Sequence, residues 1–170
     1  MKKVLKFSGL AALVLALVAF ILLMATHSVV NTENSGTWFS GISAVFGGGT
    51  AALAGFESDS DSKLAWVALL AWIFILVAML IIIAGIVLPL LKIHALDKVA
   101  GILNLVSVCL LVVAGILVFF TVPAFASSND WSSTDYWSLG GGFITAGILS
   151  ILAGAVAICP AVVDFIEKKK

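Results

Sequence analysis

Residues 64–91 read LAWVALLAWIFILVAMLIIIAGIVLPLL, 28 positions without a charged side chain between Lys63 and Lys92. About 20 apolar residues, each rising 1.5 Å, cross the ~30 Å hydrocarbon core of a bilayer. In lipid the backbone must satisfy its own hydrogen bonds, and a helix does this within one segment. The stretch reads as a spanning helix long enough to tilt or project from the membrane. Pro89 falls in its last turn, where a kink is easily accommodated.

Three more runs, 7–25, 99–121 and 137–163, are equally free of charge. Hydrophobic residues make up 62% of the 170 and charged ones 11%, with a mean hydropathy of +1.24. A soluble domain would carry about 25% charged residues. The expected fold is all-α: an integral membrane four-helix bundle of antiparallel up-down topology, forming one domain over 1–170. Its helices are expected at about 5–26, 63–91, 98–122 and 137–164, joined by connections 27–62, 92–97 and 123–136.

The charges are sorted along the chain. Lys2, Lys3 and Lys6 precede the first run, Lys92 and Lys98 bracket the short connection, and Lys168, Lys169 and Lys170 end the sequence. The two longer connections hold Glu33, Glu57, Asp59, Asp61, Asp130 and Asp135, with Lys63 their one cation. Lysine excess marks the cytoplasmic side. Both termini are therefore expected in the cytoplasm and the longer loops outside, in a multi-pass protein of the cell membrane. The first run resembles a signal peptide in its basic start, but it is longer than an h-region and ends Leu23-Met24-Ala25-Thr26-His27 without Ala-x-Ala. A retained helix is expected.

Residues 38–56 of the first outer loop are apolar and rich in glycine, too short to span, and read as an interfacial or re-entrant segment resting on the bundle. A weak echo links the two outer loops. Each carries Trp-x-x-Gly, at Trp38–Gly41 and at Trp137–Gly140, with Gly-Gly-Gly at 47–49 and 140–142. Low-complexity membrane sequence produces such echoes readily, and no duplication is read from this one. Thr134 or Asp135 is expected to cap the fourth helix. Trp38, Trp66, Trp131, Tyr136 and Trp137 suit the outer headgroup level and form a candidate aromatic cap.

Candidates for chemistry are few. His27 and His94 are expected at opposite faces of the membrane, so no triad or metal cluster is built from them. Cys109 and Cys159 differ in depth and read as packing residues. Glu57-Ser-Asp59-Ser-Asp61 lacks the glycine and terminal glutamate of an EF-hand loop. Neither a cofactor nor a metal site is expected, and the chain does not read as an enzyme. No Asp, Glu, Lys or Arg lies deep in a span, which counts against ion-coupled transport.

The most polar side chain at depth is Asn104, which shares one face of the third helix with Ala100, Ser107, Leu111 and Ala114. The fourth helix carries a stripe of small residues, Ala146, Ser150, Gly154, Ala157 and Ala161, flanked by Gly147, and this is the expected close-packing seam. The expected function is that of a small tetraspan component, structural, accessory or assembly-directed, acting through helix packing and its outer loops. Its expected partners are the lipid bilayer and either further copies of itself or another membrane protein, with no nucleic acid. The alternative is an oligomeric pore or facilitator lined by small and weakly polar residues.

The topology, with a large first outer loop carrying a tryptophan and a smaller second one, resembles that of the claudin-like tetraspan proteins. Their first loop has Gly-Leu-Trp followed by two cysteines; this one has Trp38 and no cysteine. The resemblance implies a shared architecture, which does not transfer function.

Overall fold

The computed structural model describes residues 2–33, 37–48, 62–87 and 97–167, with side chains described from Phe7 onward and excluding 97–100 and 160–167. Four long helices dominate: α1 (Lys2–Ala25), α3 (Trp66–Val87), α4 (Asp97–Phe119) and α6 (Gly141–Glu167). Two short ones, α2 (Gly41–Phe46) and α5 (Thr121–Ser128), and three strands, β1 (His27–Asn31), β2 (Trp38–Ser40) and β3 (Trp137–Leu139), complete the order. Each long helix is long and apolar enough to cross a membrane, over Phe7–Ala25, Trp66–Val87, Gly101–Phe119 and Gly141–Cys159. Together they mark a multi-pass membrane protein.

The long helices pack as a closed ring. α4 lies between α3 and α6, α6 between α4 and α1, and a thinner contact joins α1 to α3. An all-apolar helix has no polar face to set its orientation, so residue size sets it instead. The buried positions recur at steps of three and four: Ala12, Ala16 and Ala19 on α1; Ala68, Ala71, Ile75, Ala78 and Ile82 on α3. On α4 they are Ser107, Leu111, Ala114 and Val118, and on α6 Phe143, Ala146, Ser150, Ala153 and Ala157. The bulky Leu10, Leu80, Ile102, Ile148 and Leu152 lie exposed on the opposite faces. A soluble core would bury these and expose the small residues. In lipid the outside is as apolar as the inside, and close backbone approach decides the packing.

The fold is predominantly helical, but the all-α expectation fails at one end of the bundle. There the strands form an antiparallel sheet in the order β2-β1-β3. Val29 and Val30 of β1 stand opposite Phe39 and Trp38 of β2 on one side and Leu139 and Ser138 of β3 on the other. Trp137–Leu139 is therefore strand rather than the first turn of the fourth helix, which begins at Gly141. An uncharged run does not distinguish the two, and the free edge of β1 decides. Thr134 and Asp135 consequently cap no helix; the Thr134 carbonyl accepts a turn hydrogen bond from the Trp137 N–H at 3.0 Å.

The third helix likewise stops at Phe119, short of the expected 122. Pro123 has no N–H to donate to the Phe119 carbonyl four residues back. The chain turns at Phe120 and resumes as α5, with the Thr121 hydroxyl donating to the Val118 carbonyl at 2.7 Å. Pro89, residues 92–96 with Lys92 and His94, the Asp97 and Lys98 side chains, residues 49–61 of the glycine-rich segment and acidic return, the Ala161 side chain, the side chains of Lys2, Lys3 and Lys6, and Lys168, Lys169 and Lys170 lie outside what is described.

Candidate functional site

The sheet end of the bundle is where separated parts of the chain converge. β1 leaves α1 after one intervening residue, Thr26, and becomes the central strand. The two Trp-x-x-Gly segments flank it, since Trp38–Ser40 is β2 and Trp137–Leu139 is β3. At the end of each, a glycine N–H donates back to the chain leaving α1: Gly41 to the Thr26 carbonyl at 2.8 Å and Gly140 to the Ser28 carbonyl at 2.9 Å. A Cβ on Gly41 would overlap the Leu23 carbonyl, and one on Gly140 the His27 carbonyl. Both strand-to-helix junctions thus require glycine, because backbone passes against backbone.

Ser28 occupies the irregularity in the β1–β2 register. Its buried hydroxyl is 3.0 Å from the Phe39 carbonyl and 2.9 Å from that of Ser40, donating where the ladder is broken. Ser40 in turn caps α2 by accepting from the Ser43 N–H at 3.1 Å. The glycine-rich segment is therefore packed at its start, where Phe39, Gly41, Ser43, Ala44 and Val45 are buried.

Phe39 centres an aromatic cluster. Its ring lies 4.8 Å from Phe125, 5.8 Å from Trp131 and 5.7 Å from Trp137, centroid to centroid. Trp131 and Trp137 stack at 4.5 Å, and Phe125 meets Trp131 edge-on. Trp38, on the other face of β2, stacks on His27 at 3.9 Å. Of the five expected cap residues, Trp131 and Trp137 are in the cluster and Trp38 is beside it. Trp66 and Tyr136 are about half exposed and stand outside it, Tyr136 joining only through its carbonyl, which accepts from the Thr32 N–H. Phe39 and Phe125 are not among the cap residues expected from the sequence. The two-residue period of β2 placed Phe39 opposite Trp38, but only a known strand makes that period usable.

A second clasp holds the start of α3 to the end of α5. Asn129 accepts from the Lys63 N–H through Oδ1 at 2.7 Å and donates through Nδ2 to the Lys63 carbonyl at 3.1 Å and the Phe125 carbonyl at 2.8 Å. Asp130, in the left-handed region at φ 58°, pairs with the Lys63 ammonium at 2.8 Å. That hydrogen bond, and then the attraction of the charge, hold its carboxyl below the usual 3.8. Both side chains are exposed, so the pair contributes little stability.

Away from the sheet, the small-residue stripe of α6 meets α4. Beside Gly147 lie the Phe119 ring and the Gly115 carbonyl, and beside Gly154 lie Val112 and the Val108 carbonyl. Ser150 donates to the Leu111 carbonyl at 2.8 Å, and Ala146 and Ala157 are buried on the same helix. On the other side of α4, Asn104 fits a notch made by Gly85, where a Cβ would come 2.6 Å from its Oδ1. Ser107 is buried and donates to the Asn104 carbonyl at 2.8 Å. Both polar groups therefore sit at the helix contacts. Trp72 packs against Phe20 and Phe46, and its Nε1 has no acceptor among the described residues.

Cys109 and Cys159 are free thiols, exposed on the surface of the bundle. Among the described residues no three His, Cys, Asp or Glu side chains gather to hold a metal ion. The arrangement at the sheet end is suited to presenting a surface of fixed shape. Compared with known protein families and with characterised proteins, the chain matches none.

Proposed function

We propose that the protein is a tetraspan component of the cell membrane with a structural, accessory or assembly role, offering the sheet end, braced from within by its aromatic cluster, to a partner outside the cell. The observation that carries this reading is the convergence of two separated connections on β1. Gly140 bonds to Ser28 of β1 and Gly41 to Thr26 just before it, and Phe39 joins Phe125, Trp131 and Trp137. Such a cap fixes the shape of one end while the helices supply the anchor.

The proposed path is antiparallel and up-down, with both termini in the cytoplasm and the sheet outside. Gly9 lies beside Ile86 near the end of α3, while Lys63, just before α3, is clasped by Asn129 beyond α4; both contacts support alternating helix directions. The lysine distribution supports the cytoplasmic assignment. Single cysteines at Ser58 and Ser132 should react with an impermeant thiol reagent in intact cells, and one at Ala95 only after lysis. Labelling at Ala95 in intact cells would reverse the orientation.

The partner is either another copy or a different membrane protein. The mass of the particle purified in mild detergent, with identification of every chain in it, tests the role. A stable hetero-complex or a homo-oligomer sealed at its centre supports it. A closed ring with a central opening would instead make the protein a pore.

A further inference from the structure

Between α3 and α4 the surface of the bundle is indented. Phe74, Leu105, Val106, Cys109, Leu110 and Val113 line an open groove of about 260 Å³ whose walls are wholly apolar. We propose that this groove holds one acyl chain of a bilayer phospholipid, an inference that rests on the four helices crossing a bilayer.

Depth is the first argument. Cys109 lies eight residues from Gly101 and ten from Phe119, the ends of the apolar part of α4. At 1.5 Å per residue that is roughly 12 and 15 Å from either end, beyond the reach of headgroups. Only hydrocarbon or another protein is available there.

Wall composition separates these two. Where α4 meets its neighbours within the chain, glycine or serine opens the contact: Gly115, Gly147, Ser150 and Gly154 toward α6, and Gly85 toward α3. The groove has none of these residues. Its walls are branched or aromatic apart from the cysteine, and they hold a second helix backbone away. A methylene chain is slimmer than a helix and needs no hydrogen bond. It gains dispersion contacts on several sides where a flat surface would offer one.

The test uses the full-length protein in phosphatidylcholine vesicles containing a phospholipid with a diazirine midway along one acyl chain. After photolysis, cross-links should concentrate at residues 105–113 and at Phe74, at least threefold above the exposed ridge formed by Leu10, Val14, Leu17 and Ile21. Val113→Phe narrows the groove and keeps the Cys109 thiol. It should cut labelling of 105–113 at least threefold and leave the ridge unchanged, and Val106→Phe provides the same readout if the first variant is not folded.

Equal labelling of groove and ridge, or labelling indifferent to both variants, would overturn the proposal. So would efficient Cys109–Cys109 cross-linking by iodine in a Cys159→Ser background, which would put a second copy in the groove. Absence of label from every helix would remove the bilayer reading, and the groove proposal with it.

Discussion

The two ends of α6 are held by different chemistry. Where it follows β3, contacts are directional: backbone hydrogen bonds across β1, the Ser28 hydroxyl on two carbonyls, and rings packed around Phe39. Along its length against α4, they are mainly steric, made where Gly147, Gly154 and Ser150 let backbones approach. The difference follows from the medium. In water a strand edge left unpaired still has a solvent partner, so order at the sheet end needs several specific contacts at once. In hydrocarbon every helix satisfies itself, and helices associate where shape allows.

The largest expected effect is at the junction between these regimes. Gly140→Val drives a branched side chain into the His27 carbonyl, a backbone atom that cannot swing aside. The loss should exceed the ~1–3 kcal/mol of ordinary overpacking. Size-exclusion chromatography should show aggregate in place of a single folded peak, and a normal peak would mean the sheet end is dispensable.

Phe39→Ala comes next, removing the ring at the centre of the aromatic cluster and leaving a cavity worth about 3 kcal/mol in comparable cores. The melting temperature should fall, and tryptophan emission should shift as the Trp131–Trp137 stack loosens. Unchanged emission would show that the stack does not depend on Phe39.

The steric side is tested by Gly154→Leu against Ile151→Leu. The first forces atoms onto Val112 and the Val108 carbonyl, at about 2 kcal/mol, and the second nearly conserves volume, below about 1.5 kcal/mol. Equal melting temperatures would break the contrast between the two regimes. Ser150→Ala sharpens it by removing the one directional bond from the stripe to α4 among the described residues, on the order of 0.6 kcal/mol within a membrane.

The smallest effect is a pH dependence. Because the Asp130 pKa is lowered in the folded protein, its contribution is present above the unfolded value of 3.8 and is lost as pH falls through the folded one. The melting temperature of the wild-type chain should drop slightly more than that of Asp130→Asn between pH 6 and pH 3. An identical drop in both would show that the Lys63 pair does not contribute.

Much of this was legible in the sequence, and the limits have physical causes. The Trp-x-x-Gly echo was visible, but its meaning required β1, whose residues 27–31 show no alternation strong enough to declare a strand. Trp131 and Trp137 could be grouped by composition. Phe39 and Phe125 could not, because their meeting depends on the break at Phe120 and on the strand face of β2. The α6 stripe was readable from small residues at helical spacing, whereas the same spacing gave no hint of which neighbour it meets.

The sequence by itself determined that four runs are long and apolar enough to cross a membrane as helices, and that the last carries a stripe able to pack closely. Charge exclusion and residue size are local properties, legible in each run by itself. Only the tertiary structure decided that 137–139 is a strand, that α4 breaks before Pro123, and that two distant glycines flank one strand. Those outcomes depend on which backbone groups find partners across the chain, and a hydrogen bond between residues a hundred positions apart leaves no periodic trace in either.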